Sequence, residues 1–500
     1  MKRMLKRTAR GLLAAIVLCC MLGSLVPAAI AEDLPEVTLK IYFPGEAPLH
    51  SKEVWENVEA LSKDALNVKF DIVHVPWSDY ADKMQTLANT GEDYDMFFDA
   101  SWLSYPMLVK NGSLLELDAL IDTYAPNLKA YLESEGVLDW PRVNGKLMAI
   151  PAVNPGTNRA YVTYREDLRQ KYDLPEDMST IEAVEHYLEV VMAGEDILPI
   201  NNIIGAVNGD NAMNVMRSKY SLDFDLGYDM TFDLTNDQIV IVPLERTEAY
   251  REASMIRRNW YEKGWIPSNA MNAQESVGGI NEGKYAVTLR WAEDAYNPLV
   301  GPGEKGAVRM YPEGTVTHSS SLGNLMLFSE KAANPERAMM FLEWMNASQE
   351  NYDAVLYGIE GVTYVLQEVD GVQMVVYPEG ENADNGYLDW MGRWAFWRAQ
   401  WRRPGFELTM LQIDKTREDL DFANNIISPL AGFAIDTEPV KTELANRQAI
   451  MDEYGRLLQY GLQENVEGAI AELVEKMNAA GTDKVIEEFQ RQVDAFLAAN

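Results

Sequence analysis

Residues Leu322 to Tyr364 read LGNLMLFSEKAANPERAMMFLEWMNASQENYDAVLYGIEGVTY, and the order of their parts decides the fold. Leu322 to Phe328 is a nearly unbroken apolar run. That suits a strand buried on both faces, although so short a run reads equally as a buried helix until its neighbours are known. Asn334-Pro335 then predicts a helix start, with Asn as cap and Pro in the first turn. Ala338, Phe341, Leu342 and Met345 follow at i, i+3, i+4 and i+7, so one helix face points inward. Gly358-Ile359-Glu360-Gly361 turns the chain. Taken alone, this is one αβ unit of any α/β domain.

Upstream the same alternation repeats. Val37 to Phe43, Val68 to Val75 and Tyr94 to Phe98 read as strands, and helices are predicted from Ser51, as cap, and from Ser78. Strands alternating with helices imply a parallel sheet with right-handed crossovers. Such sheets bind ligands beyond the carboxyl ends of their strands. Those ends carry Gly45-Glu46, Trp77 and Asp99-Ala100-Ser101-Trp102. An indole beside a carboxylate suits a sugar: the ring covers the CH face and the carboxylate accepts from hydroxyls. The alternative is that Trp77 and Trp102 fill core between loop and helix.

Downstream, Asn144-Gly145 marks a tight turn and Asn154-Pro155-Gly156 a hinge. Tyr161 to Tyr164 reads as the first strand of a second unit, Ser179 with Glu182 as a capping box, and Thr247 to Gly264 as a long helix. Asn281 to Thr288 leads into a strand that ends near Trp291. Val308 to Tyr311 reads as a short strand, and Gly314 to Ser321 returns across the hinge. Trp390, Trp394, Trp397 and Trp401 would form one stripe if helical. Most of that stripe reads as core, with Trp390 and Trp394 as ring platforms. Three helices follow from Val440, separated at Gly461 and Gly481.

The strand, capped helix and Gly-Ile-Glu-Gly turn, the Gly283-Lys284-Tyr285-Ala286 segment and the Asp99 to Trp102 loop together resemble the extracellular solute-binding proteins of bacterial ABC importers (family 1, the carbohydrate-type group). Ala480-Gly481-Thr482-Asp483-Lys484-Val485 with Glu488 is similar to the C-terminal domain of LipO-like members. The resemblance implies a periplasmic-binding-protein type II fold: two α/β lobes joined by a hinge, with additional C-terminal helices. Residues 32–153 and 319–365 would form lobe one, 154–318 lobe two, 366–439 a cleft or bridging region, and 440–500 the C-terminal helices. It implies a monomer that captures a carbohydrate, an oligosaccharide by expectation, and hands it to the transmembrane subunits of a permease. The expected ligand-binding residues are Gly45, Glu46, Trp77, Asp99, Ser101, Trp102, Trp291, Asn324, Glu360, Trp390 and Trp394, with Trp102 and Trp291 approaching from opposite lobes.

Composition narrows the classes further. The first 31 residues carry Lys2, Arg3, Lys6, Arg7 and Arg10, then an apolar run and Ala29-Ile30-Ala31, the pattern of a cleaved secretory signal. Cys19 and Cys20, the chain's two cysteines, lie inside that apolar run without the small preceding residue of a lipoprotein signal, so cleavage would leave no thiol. The formal charge of −34 becomes −39 without the five basic residues of the signal, a charge repelled by nucleic acid. The four histidines form no metal-ligand spacing, and no nucleophile-elbow, phosphate-loop or dinucleotide motif occurs, so no cofactor and no catalytic residue is expected. A secreted glycoside hydrolase with two paired carboxylates, or a binder of peptides or other polar solutes, are the readings that compete.

Overall fold

The computed structural model describes residues 34–499 except 91–93, 154–157, 202–210, 224–225, 268–282, 292–302, 318–320, 370, 383–385, 388–393, 399, 406–417, 419–422, 431–432 and 434. In lobe one, β1 (Val37–Pro44), α1 (Ser51–Leu66), β2 (Val68–Val75), α2 (Trp77–Thr90), β3 (Met96–Asp99), α3 (Tyr105–Lys110) and β4 (Ile150–Pro151) come first. Lobe two follows with β5 (Ala160–Arg165), α4 (Ile181–Gly194), β6 (Leu198–Ile200), α5 (Asn211–Tyr220), α6 (Glu248–Glu262), β7 (Tyr285–Trp291) and β8 (Lys305–Arg309). The chain returns through β9 (Val316–Thr317) to β10 (Leu325–Phe328), α7 (Pro335–Met345) and α8 (Gln349–Leu356). It ends with β11 (Asn425–Ile426), α9 (Lys441–Ile450), α10 (Val466–Ala479) and α11 (Thr482–Ala499).

The apolar run that begins at Leu322 becomes β10, with all four residues buried, after a short 3₁₀ turn at Ser321–Gly323. The lobe-one sheet has the order β2-β1-β3-β10-β4. Here the expectation of a wholly parallel sheet is corrected. β10 runs antiparallel to both β3 and β4, with Leu325 opposite Asp99 and Pro151. It arrives from lobe two and so enters the sheet at the edge where β1, β2 and β3 end. That direction brings Gly323 and Asn324 to the carboxyl edge.

Helix α7 buries Ala338, Met339, Phe341, Leu342 and Met345 against this sheet, as its spacing predicts. Its start differs from expectation. Asn334 makes no side-chain cap. Its amide instead donates to Thr38 O, and its backbone N–H to the buried Asp95 carboxylate at 2.7 Å. Tertiary stitching has displaced the local cap. Likewise α1 starts at Ser51, but the residue before it, His50, sits left-handed at φ 62° and no side chain caps the helix. The expected Ser179 box is one residue off: Thr180 caps α4, accepting from Ala183 N. Thr247 caps α6 at the predicted boundary. Asn144 and Gly145, at φ 52° and 79°, turn the predicted hairpin between Arg142–Val143 and Lys146–Leu147.

The lobe-two sheet runs β8-β5-β7-β6, with β5 antiparallel to its neighbours β8 and β7. The strand expected at Val308 to Tyr311 is Lys305–Arg309: Met310 N–H still donates to Ala160 O, but the chain turns at Tyr311, whose φ is 46°. The C-terminal helices pack on lobe two. Met451, Leu458, Val466, Leu473 and Met477 join its core, and Val485, Phe489 and Val493 bury a second cluster with Met230 and Phe232. At that junction Arg447 Nη1 meets Glu245 Oε1 at 2.9 Å, both groups almost fully buried, and also donates to Thr482 Oγ1. Removing one partner of so dry a pair strands a buried charge.

Candidate functional site

The carboxyl edge of the lobe-one sheet gathers five chain segments. β1 ends in Pro44 and Gly45, and Gly45 N–H donates to Val75 O at 2.7 Å. Gly45 has φ 106°, a conformation side chains rarely adopt, and a Cβ there would lie 3.8 Å from Trp77 Nε1. β2 leads into Trp77, the first residue of α2. β3 leads into Ala100-Ser101-Trp102. Ser101 N–H donates to Leu322 O at 2.8 Å, and the Trp102 indole N–H to Gly323 O at 2.9 Å. β4 continues into Ala152, whose N–H donates to Asn324 O. Residues 322–324 therefore tie the Trp102 loop on one side and the end of β4 on the other.

Trp77 and Trp102 stack here with ring centroids 6.1 Å apart and planes 28° from parallel. They are 47% and 54% exposed. Large indoles normally bury most of their surface, so two stacked and half-open ones form an apolar platform. This separates them from the core-filling alternative. Glu46 and Ser101 are exposed beside the platform. Asn324 is buried, and its Oδ1 has no hydrogen-bond partner among the described residues. A buried, unpaired carbonyl costs about 1–3 kcal/mol, which a hydroxyl donor would recover.

Asp99 does something other than accept from a ligand. It is 1% exposed, and its Oδ1 accepts from the backbone N–H groups of Ala100, Ser104 and Tyr105 at 2.7, 2.9 and 2.8 Å. All three donors lie in the loop that carries Trp102. Burial pushes the carboxyl up to about 6, and the three N–H bonds pull the other way. Asp99 is thus an internal brace of the platform, its Oδ1 turned to these N–H groups and not to solvent.

Glu360 is exposed on the turn after α8. Gly358 anchors that turn against Val54 of α1, where a Cβ would approach to 2.7 Å. In lobe two, Trp291 ends β7 opposite Ala160, at the edge where the chain enters β5. Its backbone is therefore on the side of the interlobe crossings; its side chain, like the whole of Trp390 and the expected Asn154-Pro155-Gly156 hinge, lies outside the described residues.

Among the described residues, the tryptophan stripe leaves the helix after Ala395. Trp394 and Ala395 are helical, and the chain then turns and bridges Val153 at Arg398. Trp397 is buried, with the Arg402 guanidinium 4.0 Å from its ring centre and Trp394 edge-on at 6.2 Å. Tyr352 OH donates to Phe396 O, and Trp401 meets the Tyr352 ring. Trp394 packs partly buried on the lobe-one core.

Residues 366–439, expected to form a cleft or bridging region, contain β11 and with it a third link between the lobes. β11 pairs parallel with β9. The guanidinium of fully buried Arg159 donates to Tyr311 O and Gly314 O, on the chain leading into β9, and to Asn425 Oδ1 of β11. Asn158 adds two bonds to Thr317. Among the described residues, no group of three His, Cys, Asp or Glu side chains is arranged to hold a metal ion, and no helix is long and apolar enough to cross a membrane.

Known proteins resemble this chain along nearly its whole length. The chain is 23% identical over 491 residues to a carbohydrate ABC transporter substrate-binding protein of Streptococcus pneumoniae serotype 4 (strain ATCC BAA-334 / TIGR4), covering 95% of this chain and 94% of that one. The crystal structure of the N-glycan transport solute binding protein NgtS from Streptococcus pneumoniae matches with a TM-score of 0.76 at 22% identity, over 92% of this chain and 99% of that one. The S. pneumoniae ABC-transporter substrate binding protein FusA, in complex with kestose, matches with a TM-score of 0.61 at 16% identity, over 93% and 100%. Residues 429–498 match a domain of unknown function. Residues 56–372, well over half of the chain, match the model of the bacterial extracellular solute-binding proteins, and the chain belongs to that family: an extracytoplasmic binding protein, not an enzyme.

Proposed function

We propose that this protein captures an oligosaccharide between its lobes and delivers it to the transmembrane subunits of an ABC importer. The single observation that carries the sugar is the stacked, half-exposed Trp77–Trp102 pair at the carboxyl edge of lobe one. A pyranose or furanose offers CH faces for such rings and hydroxyls for Asn324, Ser101 and Glu46. Trp291 would approach from lobe two, and Glu360 from the turn beside α1. The relatives named for carbohydrate, N-glycan and kestose support this class of ligand over peptides.

The remaining assignments belong to the same reading. Cleavage after Ala31 would release a monomer beginning at Glu32, without lipid at Cys19 or Cys20. Lobe one would span 32–153 and 319–365, lobe two 154–318, the bridging region 366–439 and the LipO-like helices 440–500. A thermal-shift screen against mannose-containing N-glycan fragments, kestose and maltooligosaccharides tests the proposal. One of these classes should raise the melting temperature in a saturable, concentration-dependent way, because a ligand of the native state alone adds stability. No shift with any saccharide, together with a shift by oligopeptides, would overturn it. Release of new reducing ends would overturn it in favour of hydrolysis.

A further inference from the structure

The C-terminal helices touch more than lobe two. Asp436 sits at the entrance to α9, beside Phe433 and Ile435, which pack on the cluster of Val485, Phe489 and Phe232. Gln492 of α11 grips the backbone of residue 436 from both sides. Asp436 N–H donates to Gln492 Oε1 and Gln492 Nε2 donates to Asp436 O, both at 2.8 Å. The carboxylate held in this way also accepts from Glu438 N, and meets Lys110 Nζ at 3.2 Å. These bonds hold the Asp436 carboxyl below its usual range.

Lys110 belongs to lobe one. It is the last residue of α3, the helix that leaves the Asp99-braced loop bearing Trp102. The contact therefore joins the C-terminal unit, rooted in lobe two, to the element directly behind the aromatic platform. The same unit is reached through β11, the third interlobe crossing, whose Asn425 takes a bond from the buried Arg159. A rigid-body change in the angle between the lobes must alter the Lys110–Asp436 distance, because each end is fixed to a different body.

We infer that residues 429–498 act as a conformational latch: the C-terminal helical unit holds the lobe angle of this structure by gripping lobe one through Lys110–Asp436. The latch works on the free protein, so it stands or falls separately from the identity of the solute. An exposed ion pair of this kind changes an equilibrium by about 1.4- to 5-fold, and salt screens it.

The test uses a chain expressed from Glu32, which contains no other cysteine, with spin labels on cysteines placed at Lys52 in lobe one and Glu262 in lobe two, both exposed. Pulsed dipolar spectroscopy reports the populations of interlobe distances without ligand. K110E and D436K should each lower the population of the lobe arrangement seen here by about 1.4- to 5-fold or more. D436N should do so by a smaller factor, and the reversed pair K110E/D436K should restore the original distribution. High salt should bring the unsubstituted pair toward the distribution of D436N. Identical distributions for all variants would overturn the latch. So would failure of the reversed pair to restore the original distribution.

Discussion

Lobe one uses tryptophan in two opposite ways. At the carboxyl edge of its sheet, Trp77 and Trp102 stack on each other and leave about half of their surface open. Along the segment that follows α8, Trp397 is buried beneath Arg402, and Trp394 and Trp401 lean on the same core. The residue type is the same, and the second set is the one with regular spacing. What differs is the support. The exposed pair is held by backbone: Gly323 O fixes one indole, and the α2 start and the close Gly45 backbone fix the other. The buried set is held by side chains that surround it. Rings fixed from behind stay free in front, which a binding platform requires.

Trp397→Ala should cost about 3–5 kcal/mol of folding stability, the scale for emptying a buried indole site, and leave the affinity of the folded protein unchanged. Urea unfolding and calorimetric titration measure the two. Lost affinity at unchanged stability would move Trp397 into the site.

The brace beneath the exposed pair gives the next effect. Burial raises the Asp99 carboxyl from 3.8 to about 6 in the folded state. A raised carboxyl favours the fold while it is protonated. Its contribution is therefore complete below about pH 3.8 and lost as pH rises through about 6, a change on the order of 3 kcal/mol. Asp99→Asn lacks this titration. Relative to the parent, the variant should thus gain about that much between pH 4 and pH 8, as read from unfolding midpoints. A pH-independent difference would mean that Asp99 titrates normally and is not desolvated.

Trp102→Ala acts on the exposed pair. It should weaken saccharide binding by roughly 1–3 kcal/mol, about 5-fold to 150-fold, with little change in melting. Lost stability with intact affinity would return Trp102 to the core. Trp77→Phe keeps a ring and should cost about 1 kcal/mol or less of binding, whereas a loss as large as that of Trp102→Ala would mean that Trp77 makes the larger contact.

Much of this architecture is written locally. Val68 to Val75 declares itself as a strand by pattern, Leu322 to Phe328 declares a buried element that its neighbours resolve as a strand, and Asn144-Gly145 declares its hairpin because few other pairs accept two left-handed residues in a row. Gly461 and Gly481 separate the C-terminal helices for the same conformational reason. Trp77 and Trp102 were legible as site candidates because a strand end plus a parallel crossover puts the next residues at one edge. These signals depend on backbone preferences within a few residues.

Tertiary structure decided the rest. Whether Asp99 faced a ligand or its own loop depended on where Ser104 and Tyr105 turned back, and three N–H groups then consumed the oxygen. The direction of β10 depended on which end of the sheet the chain re-entered from lobe two. The tryptophan spacing would form one stripe if helical, but after Ala395 the described chain turns and Arg398 bridges Val153 at the sheet edge. Lys110 meets Asp436 across 326 residues, and Arg159 meets Asn425 across 266. Spacing along a chain carries no record of such partners, because they are chosen by the packing of whole lobes after the local segments have formed.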